Sequence, residues 1–83
     1  MESIDRIAQP VLVTGASGFI GRRVVHKLLE AGVAVRALVL PHEQLPEEWG
    51  TKVDIVRGDI ADPEAVRQAV AGAGTIIHLA AVV

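Results

Sequence analysis

The sequence predicts an α/β protein, a four-stranded parallel sheet with flanking helices. Three observations predict it. Short β-branched runs alternate with amphipathic helical stretches along the chain. Gly or Pro stands at most changes of period. Hydrophobic residues make up 51% of the 83 residues while aromatics are 2%, Phe19 and Trp49. The core must therefore come from Val, Ile, Leu and Ala, the residues of buried parallel strands.

Val11–Thr14 is the first strand, a β-branched run set off by Pro10. It ends in Gly15-Ala16-Ser17-Gly18. A helix follows over Phe19–Ala31. Ile20, Val24 and Leu28 share one face with Val25 and Leu29 beside them, and Arg22, Arg23, Lys27 and Glu30 lie elsewhere on the wheel. Gly32 is its C-terminal stop. Val33–Leu40 is the second strand, interrupted by Arg36 and closed by Pro41. His42–Gly50 is polar and proline-broken, a loop or one short helix anchored by Leu45 and Trp49. Val53–Val56 is the third strand. Asp62-Pro63-Glu64 opens the second helix as cap, first-position proline and first-turn acid. Val66, Ala69 and Val70 are expected to face the sheet, with Gly72 and Gly74 ending the helix. Thr75–Ala80 is the fourth strand. Right-handed crossovers then give the strand order 3-2-1-4.

Bulk properties exclude several functions. A net charge of −2 favours neither nucleic acid nor an anionic membrane surface. With no cysteine there is neither a disulfide nor thiolate chemistry, which fits a cytoplasmic setting. Residues 1–9 read as an N-terminal extension with two acids and no apolar run, unlike a signal peptide. No stretch approaches the roughly 20 apolar residues of a membrane span. His26, His42 and His78 form no visible constellation with acids, so no metal is expected. Residues 10–83 make one small α/β domain of marginal stability.

Gly15-Ala16-Ser17-Gly18-Phe19-Ile20-Gly21 is a G-x-x-G-x-x-G sequence leaving a strand and opening a helix. In that context each glycine has a physical use. Gly15 makes the tight turn, Gly18 admits a pyrophosphate to the backbone N–H groups, and Gly21 lets the helix pack close to the sheet. The helix N-terminus adds unpaired N–H groups and positive dipole charge. A bare strand–helix turn would need one or two of these glycines.

Thr14-Gly15-Ala16-Ser17-Gly18-Phe19-Ile20-Gly21 resembles the TGxxGFIG signature of the extended short-chain dehydrogenase/reductases, the group of nucleotide-sugar epimerases and dehydratases. Gly58-Asp59-Ile60-Ala61-Asp62 is similar to their GDxxD segment, and His78-Leu79-Ala80-Ala81 to their HLAA segment. The three segments follow in register over the whole chain after residue 10. The resemblance implies the first part of a Rossmann domain for NAD or NADP, with Gly15, Ser17, Gly18, Phe19, Ile20, Gly21 and Arg22 at the pyrophosphate end. It implies that Asp59 accepts from the adenine amino group, against the alternative of a surface turn residue. Ile60 would pack beside adenine. Leu79, Ala80 and Ala81 would pass the ribose and nicotinamide side. Asp62 competes for the role of helix N-cap, and His78 is assigned no chemistry.

The choice of cofactor is less legible. Rossmann domains for NAD carry an acid at the end of strand two for the ribose 2′-OH. Here that stretch reads Val35-Arg36-Ala37-Leu38-Val39-Leu40-Pro41, and the first acid is Glu43. NADP-preferring relatives often carry Arg in the slot of Leu40. Arg22 is a candidate partner for a 2′-phosphate, with an exposed helix-face arginine as the alternative. The reading leans slightly to NADP.

The resemblance also implies catalysis by a Tyr-x-x-x-Lys pair. This sequence has no tyrosine, its lysines are Lys27 and Lys52, and its serines are Ser3 and Ser17. No catalytic residue is assigned, and the chain is expected to be inactive alone. The uncharged stretch 75–83 would form an apolar sheet edge, so pairing with a second copy or with a further segment is expected. Three readings remain: the cofactor-binding part of an oxidoreductase, epimerase or dehydratase; a free-standing nucleotide-binding module; or an interaction protein with an unused glycine loop.

Overall fold

The computed structural model describes residues 7–80. Four parallel strands form one sheet in the order β3-β2-β1-β4, as the alternation of elements implied. They are β1 (Val11–Thr14), β2 (Val35–Val39), β3 (Val53–Arg57) and β4 (Thr75–His78), with helices α1 (Phe19–Glu30) and α2 (Pro63–Val70) between them. The polar loop before β3 holds a single 3₁₀ turn, Glu47–Trp49. Strands β2 and β4 are shorter than the apolar runs that announce them. Pairing stops where the neighbouring strand stops, and β1 has only four residues to offer.

Alternation along the strands splits the core in two. Val11, Val13, Val35, Ala37 and Val53 face α1, where they meet Val25, Leu28 and Trp49. Leu12 and Leu38 face the other way, onto Ala65 and Ala69 of α2. Each fully buried Val or Leu contributes about 1.5–3 kcal/mol, so the sheet centre dominates the stability of so small a chain.

Both helices differ from the faces expected of them. In α1 the buried stripe is Gly21, Val25 and Leu28. Ile20 is 59% exposed, because the close approach at Gly21 turns the helix by one position toward the glycine loop. In α2 the buried residues are Ala65 and Ala69, Val66 is half-buried, and Val70 is exposed. The larger valines do not fit at this helix–sheet contact, where the two alanines lie close to Leu12 and Leu38.

Arg36 lies mid-strand and its side chain crosses the sheet face. It donates to Asp54 Oδ2 at 2.9 Å and to the carbonyls of Ala69 and Ala71 at 2.7 and 2.6 Å. It thereby caps the C-terminus of α2, where unpaired carbonyls and the helix dipole favour a cation. At the other end Asp62 accepts from Glu64 N at 3.1 Å, the cap expected from the sequence. Trp49 is buried and Leu45 packs against the same cluster, so both anchors of the polar loop hold. No helix among the described residues is long and apolar enough to cross a membrane.

Candidate functional site

Parallel strands place all their C-terminal ends on one rim of the sheet. There the loops after β1, β2, β3 and β4 enclose a cleft of about 570 Å³. Its floor is the glycine loop, with Gly15, Ser17 and Gly18. Leu40 and Glu43 form one wall, Asp59 and Ile60 the next, and Leu79 and Ala80 the far side.

The three glycines of the loop are not equivalent. Gly15 has φ +68°, and a Cβ there would lie 2.7 Å from Ala80 N. A Cβ on Gly21 would lie only 2.1 Å from Gly15 O, against backbone that cannot yield. The fold itself therefore requires these two. Gly18 is different. Its φ of −73° suits any residue, and a Cβ would meet nothing closer than Gly15 O at 3.4 Å. Packing does not demand glycine at 18; open space above the loop is what its missing side chain preserves.

Gly18 is also the N-cap of α1, and no side chain caps that helix or places an acid in its first turn. The helical ladder begins with Arg22 N donating to Gly18 O at 2.9 Å. The N–H groups of Phe19, Ile20 and Gly21 lie ahead of it and have no carbonyl of the helix to bond. Such a terminus suits an anion. By contrast α2 supplies its own acids at Asp62 and Glu64.

Thr14 ties β1 to the far wall. Its buried hydroxyl accepts from Leu79 N at 3.1 Å and Ala80 N at 3.3 Å, and lies 2.7 Å from His78 Nδ1. With Ala80 N and a Leu79 N–H shared with Thr14 O directed at it, the hydroxyl is best placed to donate its own proton to His78 Nδ1. That arrangement corresponds to the Nε2–H tautomer of a neutral His78, and the Leu79-Ala80 backbone is drawn beneath Gly15. Asp59 forms a turn and a wall at once. Its Oδ1 accepts from Ala61 N at 2.9 Å, while among the described residues no donor reaches Oδ2.

The cleft brings together Gly15, Ser17, Gly18, Leu40, Asp59, Ile60, Leu79 and Ala80 of the residues singled out in the sequence. Phe19, Ile20, Gly21 and Arg22 do not line it. Phe19 is 76% exposed, with the Arg23 guanidinium 5.0 Å from its ring centroid. Phe19 and Ile20 face the cleft region only through the helix N-terminus, not through their side chains. Arg22 donates to Ser17 O at 2.8 Å and Gln44 O at 3.2 Å, so it buttresses two loops. Ala81 lies outside the described residues.

Three features escaped the sequence. Arg57, at the end of β3, donates through one nitrogen to Leu40 O, Pro41 O and Glu43 O at 3.3, 3.1 and 3.0 Å. Thr14 anchors the far wall. Glu43 lines the cleft although it stands four residues past β2. Only the β1–β4 register, Thr14 against His78, and the return of the β2 loop over Arg57 reveal these roles.

The sheet order, the crossover helices and the glycine loop beneath an open helix terminus define a Rossmann-type α/β protein. The chain belongs to the NAD dependent epimerase/dehydratase family, whose pattern its residues 11–83 match. It is 47% identical over 73 residues to a 3-beta-hydroxysteroid dehydrogenase of Mycolicibacterium neoaurum, covering 88% of this chain and 19% of that protein. It is 43% identical over 68 residues to a 2-alkyl-3-oxoalkanoate reductase of Stenotrophomonas maltophilia, covering 82% and 20%. Among solved structures, the Thermus thermophilus UDP-glucose 4-epimerase complex with NAD superposes with a TM-score of 0.71 at 36% identity, covering 86% of this chain and 24% of that one. A short-chain dehydrogenase/reductase superfamily protein from Agrobacterium tumefaciens with bound NAD gives 0.71 at 33% identity, over 88% and 20%. The chain thus spans about a fifth of the length of the curated relatives it matches.

Proposed function

We propose that this chain is the cofactor-binding portion of an oxidoreductase, epimerase or dehydratase of the short-chain dehydrogenase type, and that its cleft holds the ADP half of a nicotinamide dinucleotide. The observation that carries the reading is Gly18, a glycine that the fold does not need at the mouth of an uncapped helix. The pyrophosphate would lie over Gly18 and accept from the first-turn N–H groups of α1. Adenine would lie against Ile60, with its amino group donating to Asp59 Oδ2. The far wall at Leu79 and Ala80 would continue toward the nicotinamide. When bound, the dinucleotide supplies hydride transfer; these residues bind and orient it. The family's tyrosine acid–base has no counterpart in a sequence without tyrosine, so no catalytic group is assigned, and a cytoplasmic setting belongs to the same proposal.

Relatives with NAD bound support the cofactor class. The slight lean to NADP rests on the missing acid at the end of β2 and on Arg22. Arg22 itself donates to the carbonyls of Ser17 and Gln44, and titration with NAD and NADP in parallel decides between the two cofactors.

A second reading has its own observation. The outer edge of β4 pairs with no strand among the described residues. Ile76 is 52% exposed because it shares the face of Leu12 while α2 packs on β2 and β3. We propose that this edge takes a further strand, from a second copy or from another segment of the protein. Calorimetric titration of the purified chain with ADP tests the main reading. Binding supports it, and no binding by a folded chain rejects it in favour of an interaction role.

A further inference from the structure

Residues 40–44 run along the cleft rim between two fixed points. Before them Val39 ends β2, and its carbonyl accepts from Gly58 N at 2.8 Å. After them Leu45 packs on the core. The residues between contain no helix or strand. The only backbone hydrogen bond within them is Glu43 N donating to Leu40 O at 3.2 Å. Yet Leu40 and Glu43 line the cleft beside Asp59 and Ile60, the end assigned above to adenine.

Two arginines hold this segment from outside. Arg57, at the end of β3, donates to the carbonyls of Leu40, Pro41 and Glu43. Arg22, on α1, donates to Gln44 O. Every carbonyl of the segment except that of His42 thus accepts from a guanidinium. Both arginines are exposed, so burial does not account for them. A charged donor bonds a carbonyl more strongly than a neutral one, and a guanidinium presents its donors in a fixed fork. Arg22 serves the glycine loop as well, through Ser17 O. The guanidinium of Arg57 makes no other hydrogen bond among the described residues, so its contacts belong to the cleft wall alone.

We propose that Arg57 is a positioning residue for the dinucleotide, one that presets residues 40–44 as a wall of the adenosine end before the ligand arrives. The inference rests on the dinucleotide reading above. Arg57 acts only through the backbone it gathers. Without it the segment would be ordered at the moment of binding, and the apparent affinity falls in proportion to the fraction of molecules whose wall is already in place. The net contribution of one hydrogen bond from a charged donor corresponds to about tenfold in that fraction.

The test titrates the chain, Arg57→Gln and Arg57→Lys with ADP and with inorganic pyrophosphate, followed at the Phe19 amide by nuclear magnetic resonance. Pyrophosphate reaches the glycine loop but not the adenosine wall. Arg57→Gln should weaken ADP by about tenfold and leave pyrophosphate within about twofold. In the same variant without ligand, the Glu43 amide should exchange faster while the amides of Val35–Val39 keep their rates. Arg57→Lys keeps the charge without the fork and should weaken ADP by only about threefold; it carries the same comparison if the glutamine variant fails to fold. ADP affinity unchanged in Arg57→Gln, or pyrophosphate weakened as much as ADP, as a merely structural role would give, overturns the inference and leaves the cofactor site intact. A folded wild-type chain that binds neither ligand overturns the dinucleotide reading, and the inference with it.

Discussion

Replacing Gly18 by alanine separates what the fold needs from what a ligand needs. The backbone at 18 is extended, with φ −73° and ψ 173°, so alanine adopts it without strain. The new methyl meets Gly15 O at 3.4 Å and nothing else nearby. The main cost to stability is the poorer N-cap, about 1 kcal/mol. A domain of this size has roughly 4–12 kcal/mol of stability at the usual 0.05–0.15 kcal/mol per residue. The variant should therefore stay folded, with its melting temperature lowered by about 4–8 °C. Binding is another matter, because the methyl enters the space above the first-turn N–H groups of α1. Losing one charge-assisted hydrogen bond there costs about 1.5–3 kcal/mol, a weakening of ADP binding by about 10- to 150-fold. Calorimetry with ADP and a thermal melt on the same sample make the comparison. A variant that binds ADP within about twofold of wild type would refute the placement of the pyrophosphate.

Gly21→Ala should behave in the opposite way. Its Cβ would stand 2.1 Å from Gly15 O, and separating two backbone segments costs about 3 kcal/mol or more; a thermal melt should show a chain largely unfolded or far less stable than Gly18→Ala. Thr14→Val removes the hydroxyl shared by His78, Leu79 and Ala80. Leu79 N keeps Thr14 O, but Ala80 N loses its partner, so a loss of about 1–3 kcal/mol is expected, together with faster amide exchange at Ala80. In the wild type, ring-nitrogen resonances of neutral His78 should report the Nε2–H tautomer, and the Nδ1–H form would contradict the Thr14 geometry. If the outer edge of β4 accepts a strand, light scattering should show a mass that rises with concentration, and Ile76→Lys should keep it at the monomer value.

The sequence carried the architecture because its signals were local. A strand, a glycine loop and a helix with its own cap are each written in a few neighbouring residues, and strand alternation with helices then leaves little freedom of order. The helix faces were legible only roughly. The wheel gave α1 an apolar stripe through Ile20, but the contact at Gly21 sets its rotation, and that depends on where the loop lies against β1. In α2 the expected stripe was Val66, Ala69 and Val70; Ala69 is buried, but Ala65 takes the other place against Leu12 and Leu38. The cleft floor and its Asp59 wall were legible through motifs. The side chains that hold the walls were not, because their partners are distant in the chain. Arg57 bonds carbonyls 14–17 residues back, and Thr14 meets residues 64–66 ahead. Glu43 lines the cleft although it stands four residues past β2, because the loop returns over Arg57, a contact invisible in the sequence.

The most direct test of the central claim is a nuclear magnetic resonance titration of the isotopically labelled chain with ADP, followed at every backbone amide. Binding in the cleft predicts the largest shifts at Gly15, Ser17, Gly18, Phe19 and Ile20, with a second group at Asp59 and Ile60. The groove between α1 and Trp49, lined by His26, Leu29 and Lys52, should stay silent. A well-dispersed spectrum that ADP leaves unchanged, or shifts confined to that second groove, would contradict the account.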